Sequence, residues 1–411
     1  MTQRMIASVR NLALGALPIV LVLCLAETLS MTAFSTYPAL LTVIRESWGI
    51  SNSAAGFVSG TYFGGYMVAV PVLTSLTDRL DARRVYLVSA GLSAVGALGF
   101  ALFGRGLASA IAWQAVGGMG LAGTYMPGLK ILTDHIEGRH QSRAIAFYTS
   151  TFGIGTSVSF WLAGAIASAW SWPWAFAVSA AGPALAGVLV VLALPPANAS
   201  LAQRGAATLD LTRLWRALGN PGARRFVAAY GAHCWELFGV RSWIAAFFAF
   251  AATVQTRAAW LAPSAAAAVI NLLGPIASIL GNEVAVRIGR VRHVSTVMAA
   301  SIILACVVGF APGLPSVVLL VLAAIYFLTI MADSAALTAG VVAASDPAER
   351  GATMAVYSLV GFGAGFLAPL VFGAVMDAAG GETRRLAWGL AFASLAAPSG
   401  LVLGALVRRR A

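Results

Sequence analysis

A chain of 411 residues that is 60% hydrophobic and only 10% charged lies far from soluble domains, in which about a quarter of residues are charged. No aqueous fold hides that much apolar surface, because a large core still needs a polar shell, and a lipid solvent removes the difficulty. The net charge of +12 raises nucleic acid as a partner, but the basic residues are arginines and the single Lys130, with no basic tract interleaved with aromatics, and nucleic acid is excluded.

In chain order, apolar runs of about 20 residues predict helices at 14–40, 54–76, 85–104, 107–132, 143–168, 173–194, 226–252, 263–286, 294–312, 316–343, 351–377 and 383–407. The first run imitates a signal peptide, but the many spans behind it mark it as a retained helix. The breaks at 104–106 and 313–315 are short enough to make antiparallel hairpins. The longest polar stretch, 195–225, separates a six-helix bundle at 1–194 from a second at 226–411. The expected fold class is therefore an all-α membrane protein of twelve transmembrane helices in two bundles. Cys24, Cys234 and Cys306 fall inside apolar runs without metal-ligand spacing and read as small core residues.

With the amino terminus inside, the inner segments hold about 20 basic residues against 5 outside, which predicts both termini in the cytoplasm. The basic balance is thus a topology signal. Trp48, Trp172 and Trp260 fall at expected membrane interfaces.

A shift of about 209 residues aligns the halves. Tyr148 meets Tyr357, Gly164 meets Gly373, Glu27 meets Glu236, and FGIG at 152–155 meets FGAG at 362–365 after a one-residue adjustment. Asp78-Arg79 and the arginines after it meet the segment Arg287-Ile288-Gly289-Arg290-Val291-Arg292 at a shift of 208. An even-numbered repeat inserts both halves the same way, about an axis along the membrane normal, with a solute path between them.

The residues between helices two and three carry a family resemblance. Thr74-Ser75-Leu76-Thr77-Asp78-Arg79-Leu80-Asp81-Ala82-Arg83-Arg84 resembles the signature loop of the major facilitator superfamily, a Gly-x-x-x-Asp-Arg-x-Gly-x-Arg-Arg pattern. This copy keeps the Asp, the Arg and the basic end, and has Thr74 and Asp81 in place of the glycines. The second copy, Asn282 to Arg292, keeps Arg287, Gly289, Arg290 and Arg292 but has Val286 for the Asp. The resemblance implies that helices one, four, seven and ten line a central cavity. It implies an inner gate of Asp78, Arg79, Arg83, Arg84, Arg287, Gly289 and Arg290, with Asp78 at the positive amino end of helix eleven. Two departures stand out. Gln114 occupies the place of an Arg linked to proton coupling in many members, and Ser159 to Gly164 lacks the Gly-Pro pair typical of drug antiporters.

Ionisable side chains at the bilayer centre are costly and face the bundle interior or water. On helix seven, Tyr230, His233, Glu236 and Arg241 share an arc of about 140° at 100° per residue. Glu236 lies about 15 Å into that helix, near the midplane. If Glu27 and Glu236 face each other across the pseudo-twofold axis, one is held protonated or neutralised by Arg241. Both are candidate proton carriers, the plainer reading being a polar pair between helices one and seven. Arg241 is a candidate fork for a substrate carboxylate, and His233 a candidate titrating group or simply a hydrogen-bonded one. Asp333 is a third buried acid, whose plainer role is a bond to nearby hydroxyls. Lys130 is a candidate near the cytoplasmic end of helix four, able to snorkel. Asn271 reads as helix glue.

The chain offers no phosphate-binding loop and no room for a nucleotide-binding domain. His135 and His140 beside Asp134 and Glu137 imitate a metal site, but a solvated turn explains them. The expectation is a monomeric secondary transporter of a bacterial-type inner membrane, without enzyme activity or cofactor. It moves a small polar or anionic solute by alternating access, with protons as candidate coupling ion. Two alternatives stay open: proton-driven efflux of lipophilic or cationic compounds, and a sensor or assembly factor that kept the fold and lost transport.

Overall fold

The structure, a computed structural model, describes residues 17–77, 79–136, 141–194, 219–255, 260–347 and 349–407. Among these residues all regular structure is helical. The spans are α1 (Leu17–Trp48), α2 (Asn52–Leu76), α3 (Ala82–Phe103), α4 (Leu107–His135), α5 (Gln141–Ala169) and α6 (Trp172–Ala193) in one half. The other half holds α7 (Pro221–Val254), α8 (Pro263–Ile288), α9 (Arg290–Gly309), α10 (Ser316–Ala344), α11 (Arg350–Ala378) and α12 (Arg385–Val407). Eleven helices among the described residues are long and apolar enough to cross a membrane. The remaining one, α4, has the length at 29 residues, but Gln114 and a run of glycines dilute its apolar character.

Local chemistry sets the ends. Asn220 caps α7 by accepting from the Gly222 and Ala223 amides at 2.9 and 3.2 Å, and Pro221 occupies the first helical position, where no N–H is needed. That starts α7 five residues ahead of the predicted 226. Helix α1 runs to Trp48 rather than the predicted 40, because nothing terminates it before Gly49, whose φ of 61° is a left-handed helix end.

Several spans are broken inside the bundle. In α1 a 3-10 turn at Met31–Ala33 frees backbone groups, and Ser159 of α5 splices them: its hydroxyl donates to the Thr32 carbonyl at 2.6 Å and accepts from the Ser35 amide at 2.8 Å. Helix α8 breaks at Leu273, ahead of Gly274 and Pro275, since proline cannot donate to the Asn271 carbonyl. Helix α10 breaks at Ala332 and Asp333, where the Nε2–H of His293 donates to the Ala332 carbonyl at 3.0 Å.

Packing between the halves is concentrated at one end, the one remote from the start of α1. There α2 lies against α11, and α5 against α8. A Cβ on Gly60 would collide with the Phe366 carbonyl, so the two backbones meet as closely as small residues allow. Toward mid-membrane the seam continues through rings, with Tyr66 stacked on Phe362 at 3.9 Å and Phe63 against Phe238 at 4.2 Å. At the opposite end α4 and α10 share no packed interface among the described residues.

Candidate functional site

Helix α7 carries three buried acidic or basic side chains, His233, Glu236 and Arg241, and each meets a different neighbour. His233 Nδ1 lies 2.8 Å from Asp333 Oδ1, at ion-pair distance although not at a hydrogen-bonding angle. Both residues are buried, and Asp333 sits at the α10 break as the N-cap residue of the second segment, Ser334–Ala344, with no capping bond from its side chain. Tyr230 stacks on His233 at 5.9 Å and on Tyr357 of α11 at 3.7 Å. Tyr357 shares a 2.8 Å hydrogen bond with Thr338. The pair thus sits where α7, α10 and α11 meet.

Glu236 is enclosed by its own half. Tyr326 of α10 and Ser301 of α9 donate to its two oxygens, each at 2.8 Å, and Ser399 of α12 lies at 3.5 Å. Glu27, fully buried, accepts from Tyr148 of α5 and from Ser30, both at 3.2 Å through Oε2. Its Oε1 has no partner among the described residues. The expected face-to-face arrangement of Glu27 and Glu236 is corrected: each points into its own six-helix unit, because tyrosines and serines there supply donors that the opposite half does not. Nor does Arg241 neutralise either of them; no ion pair joins it to an acid among the described residues.

Arg241 is instead held by uncharged groups. Its side chain is 4% exposed. Nε donates to Asn271 Oδ1 at 2.9 Å, and Asn271 Nδ2 donates to the Ala267 carbonyl at 2.9 Å, which fixes the way the amide faces. Three rings surround the guanidinium: Phe152 at 5.3 Å, Phe327 at 5.7 Å and Phe238 at 5.9 Å. Phe152 belongs to α5 in the first half, so this cation lies at the junction of the halves. Rings favour a cation by about 2 kcal/mol when desolvated, while burying an ion costs several.

Other candidates stand apart. Lys130 Nζ pairs with Asp134 at 3.0 Å, one helical turn along α4. His135 Nδ1 bonds the Ile131 carbonyl at 2.8 Å, and among the described residues no group of His, Cys, Asp and Glu is placed to hold a metal. His140 and Glu137 lie outside the described residues, as does Asp78 of the expected gate. Arg79 and Arg84 are exposed. Arg83 donates to the Val191 carbonyl at 2.7 Å. Asp81, which replaces a glycine in the signature loop, caps α3 through the Arg83 amide at 3.0 Å. Its counterpart Gly289 turns the chain between α8 and α9 with φ of 92°, a conformation that suits glycine. Arg287 is exposed at the end of α8, and Arg290 is half-buried at the start of α9.

A second polar cluster, absent from the sequence reading, closes the far end. Asp377 at the end of α11 accepts from the amides of Asn52 and Ser53 at 3.1 and 2.8 Å, from Asn52 Nδ2 at 2.8 Å and from the Ser53 hydroxyl at 2.6 Å. A carboxylate at the amino end of α2 is favoured by the helix dipole. Beside it, Arg45 Nη2 meets Glu382 at 2.6 Å, and Asn52 Nδ2 also reaches Glu382 at 3.0 Å. Burial alone would raise the Glu382 carboxyl, but the Asn52 amide and the Arg45 guanidinium outweigh it and hold it below the usual carboxylate range. The acid after a predicted span and the polar start of α2 were both visible in the sequence; their meeting, across more than 300 positions, was not.

A family model described as Major Facilitator Superfamily matches residues 23–369. Among curated proteins none matches by sequence. Solved structures match over nearly the whole length. The nucleoside transporter NupG in its D323A mutant form is similar with a TM-score of 0.76 and 15% identity, covering 95% of this chain and 99% of that one. A bacterial homolog to the human lysosomal transporter Spinster, inward-facing and unoccupied, gives 0.71 and 16%, covering 95% and 94%. The human organic anion transporter MFSD10 (TETRAN) gives 0.67 and 17%, covering 95% and 99%. At these identities the likeness is one of fold.

Proposed function

We propose, because this chain belongs to the Major Facilitator Superfamily and is a secondary transporter, that its cargo is a small anionic solute recognised by Arg241. The supporting observation is a guanidinium buried between the halves with no acid paired to it among the described residues. A carboxylate completes it through charge-assisted, two-point hydrogen bonds. Because Phe152 lies on one half and Phe238, Phe327 and Asn271 on the other, rocking of the halves uncovers the cation, and a bound anion draws them together again.

Protons accompany the solute through His233 and Asp333. The two hold α7 against the break in α10, and a proton added to Asp333 removes the charge that His233 meets. Arg241 lies eight positions along α7, about 12 Å away at 1.5 Å per residue, so strain at the pair reaches the cation through one rigid element. Glu27 and Glu236 serve as buried polar anchors of their halves. With the start of α1 facing the cytoplasm, the arginine-rich turns after α2 and α8 form the inner gate, and the Asp377 and Glu382 cluster is the outer latch.

The test is flux in proteoliposomes loaded with a pH-sensitive dye, challenged with carboxylates, sugars and lipophilic cations. Proton movement triggered by a carboxylate and lost in Arg241→Ala is the expected result. Movement triggered only by lipophilic cations overturns it in favour of efflux.

A further inference from the structure

The surroundings of Arg241 also say which anion. Resting on the reading of Arg241 as the anion site, we propose that the cargo is a monocarboxylate with an apolar, preferentially aromatic, body, and that Asn271 is the positioning residue that aims the guanidinium at it.

Charge comes first. Of the buried basic side chains described, His233 faces Asp333 and His293 bonds the Ala332 carbonyl, and the half-buried Lys130 is engaged by Asp134. Arg241 therefore offers one unspent positive charge. A dicarboxylate or a phosphate monoester would bring a second negative charge into the same buried place without a partner, which is heavily penalised.

Geometry narrows the head group. Asn271 occupies Nε, and among the described residues no acceptor is bonded to either Nη. The free edge is the terminal pair of nitrogens, whose parallel N–H bonds match the two oxygens of one carboxylate. The amide is held in turn by the Ala267 carbonyl, just ahead of the α8 break, so the fork points in a fixed direction.

The walls define the body. Phe152, Phe238 and Phe327 ring the cation. Behind them Phe34 lies 5.3 Å from Phe152, and Phe63 lies 4.2 Å from Phe238. A sugar would meet these rings with hydroxyls that need partners. A zwitterionic amino acid would need an acid for its ammonium, but Asp333 is taken by His233, Glu236 by Tyr326 and Ser301, and Glu27, with Oε1 still open, is held by Tyr148 and Ser30 inside the first half. An aromatic ring meets the same walls by offset or edge-to-face stacking.

The experiment measures binding of benzoate, acetate, succinate, phenyl phosphate and benzylamine to the full chain in nanodiscs, alongside flux of radiolabelled benzoate. Benzoate is expected to bind about tenfold or more tightly than the other four, a difference of about 1.4 kcal/mol. Asn271→Asp supplies Arg241 with an internal carboxylate, so benzoate binding is lost while thermal stability is kept or raised, a combination that a merely structural asparagine would not give. Asn271→Ala keeps the charge but frees its aim, and weakens benzoate more than acetate. Equal binding of benzoate and succinate, or of benzoate and phenyl phosphate, overturns the monocarboxylate class and leaves the anion site standing. Undiminished benzoate binding in a folded Asn271→Asp removes Asn271 from the site. Binding of benzylamine alone, or of none of the acids, overturns both this inference and the anion reading.

Discussion

Glu27 of α1 and Glu236 of α7 stand at equivalent places in the two halves, yet their surroundings finish them differently. Glu236 has both oxygens satisfied from α9 and α10. Among the described residues Glu27 leaves Oε1 without a partner. The second half then adds what the first lacks, the His233 and Asp333 pair and the buried Arg241. The difference teaches that two halves of like helix order differ in their buried charge, most of which lies in the second. The first half contributes Phe152 to the surroundings of Arg241; among the described residues the buried acidic and basic side chains other than Glu27 lie in the second.

The hardest test of that asymmetry is Arg241→Ala. Removing one partner of a buried, hydrogen-bonded charge contact costs about 2–5 kcal/mol, so carboxylate flux is expected to fall about a hundredfold or more, read as initial rate in proteoliposomes. Retained flux would place recognition elsewhere. Next is Asp333→Asn, which keeps the shape and removes the charge facing His233. Proton movement per solute is expected to be largely lost, while solute binding changes little; unchanged coupling would return the proton role to a glutamate. Glu236→Gln and Glu27→Gln follow. Each replaces an acid that already has neutral donors, so each is expected to cost about 1 kcal/mol of stability, seen as a lower unfolding temperature with flux preserved. A loss of pH dependence in either would reverse the comparison between the halves.

The smallest effect belongs to the far-end latch. Glu382 is held below the usual carboxylate range while latched, among Arg45, Glu46, Asp377 and the Asn52 amide. A parted latch therefore takes up the proton first. Acidification on that side favours parting, only as the pH falls below the ordinary carboxylate range, and at neutral pH the latch keeps its full strength. The parted fraction, read from the distance between spin labels attached at neutral pH to cysteines at Ser47 and Thr383, in a background without the three native cysteines, is expected to rise only in that acid window. A parted fraction that falls on acidification would remove Glu382 from the latch.

Much of the fold was legible because lipid imposes length and apolarity on every span. The burial of His233, Glu236 and Arg241 also followed from their depth in α7. Their partners did not. A helical projection gives a face, not the neighbour opposite it, and Asp333 and Asn271 come from other helices 100 and 30 positions away. The break of α10 carries no proline or glycine to announce it, whereas Gly274-Pro275 in α8 did carry that signal beneath a continuous apolar run. Helix α1 outran its prediction because hydropathy fades before the helix does.

The seam between α2 and α11 has an electrical consequence. Where the Gly60 backbone touches the Phe366 carbonyl and Tyr66 stacks on Phe362, there is no width for a file of water, and without such a file protons have no wire to follow. The same contact that lets two helices slide apart for cargo therefore insulates the bilayer between turnovers. A side chain larger than hydrogen at Gly60 would hold the seam ajar, and the first symptom would be a dissipated proton gradient rather than a failed delivery.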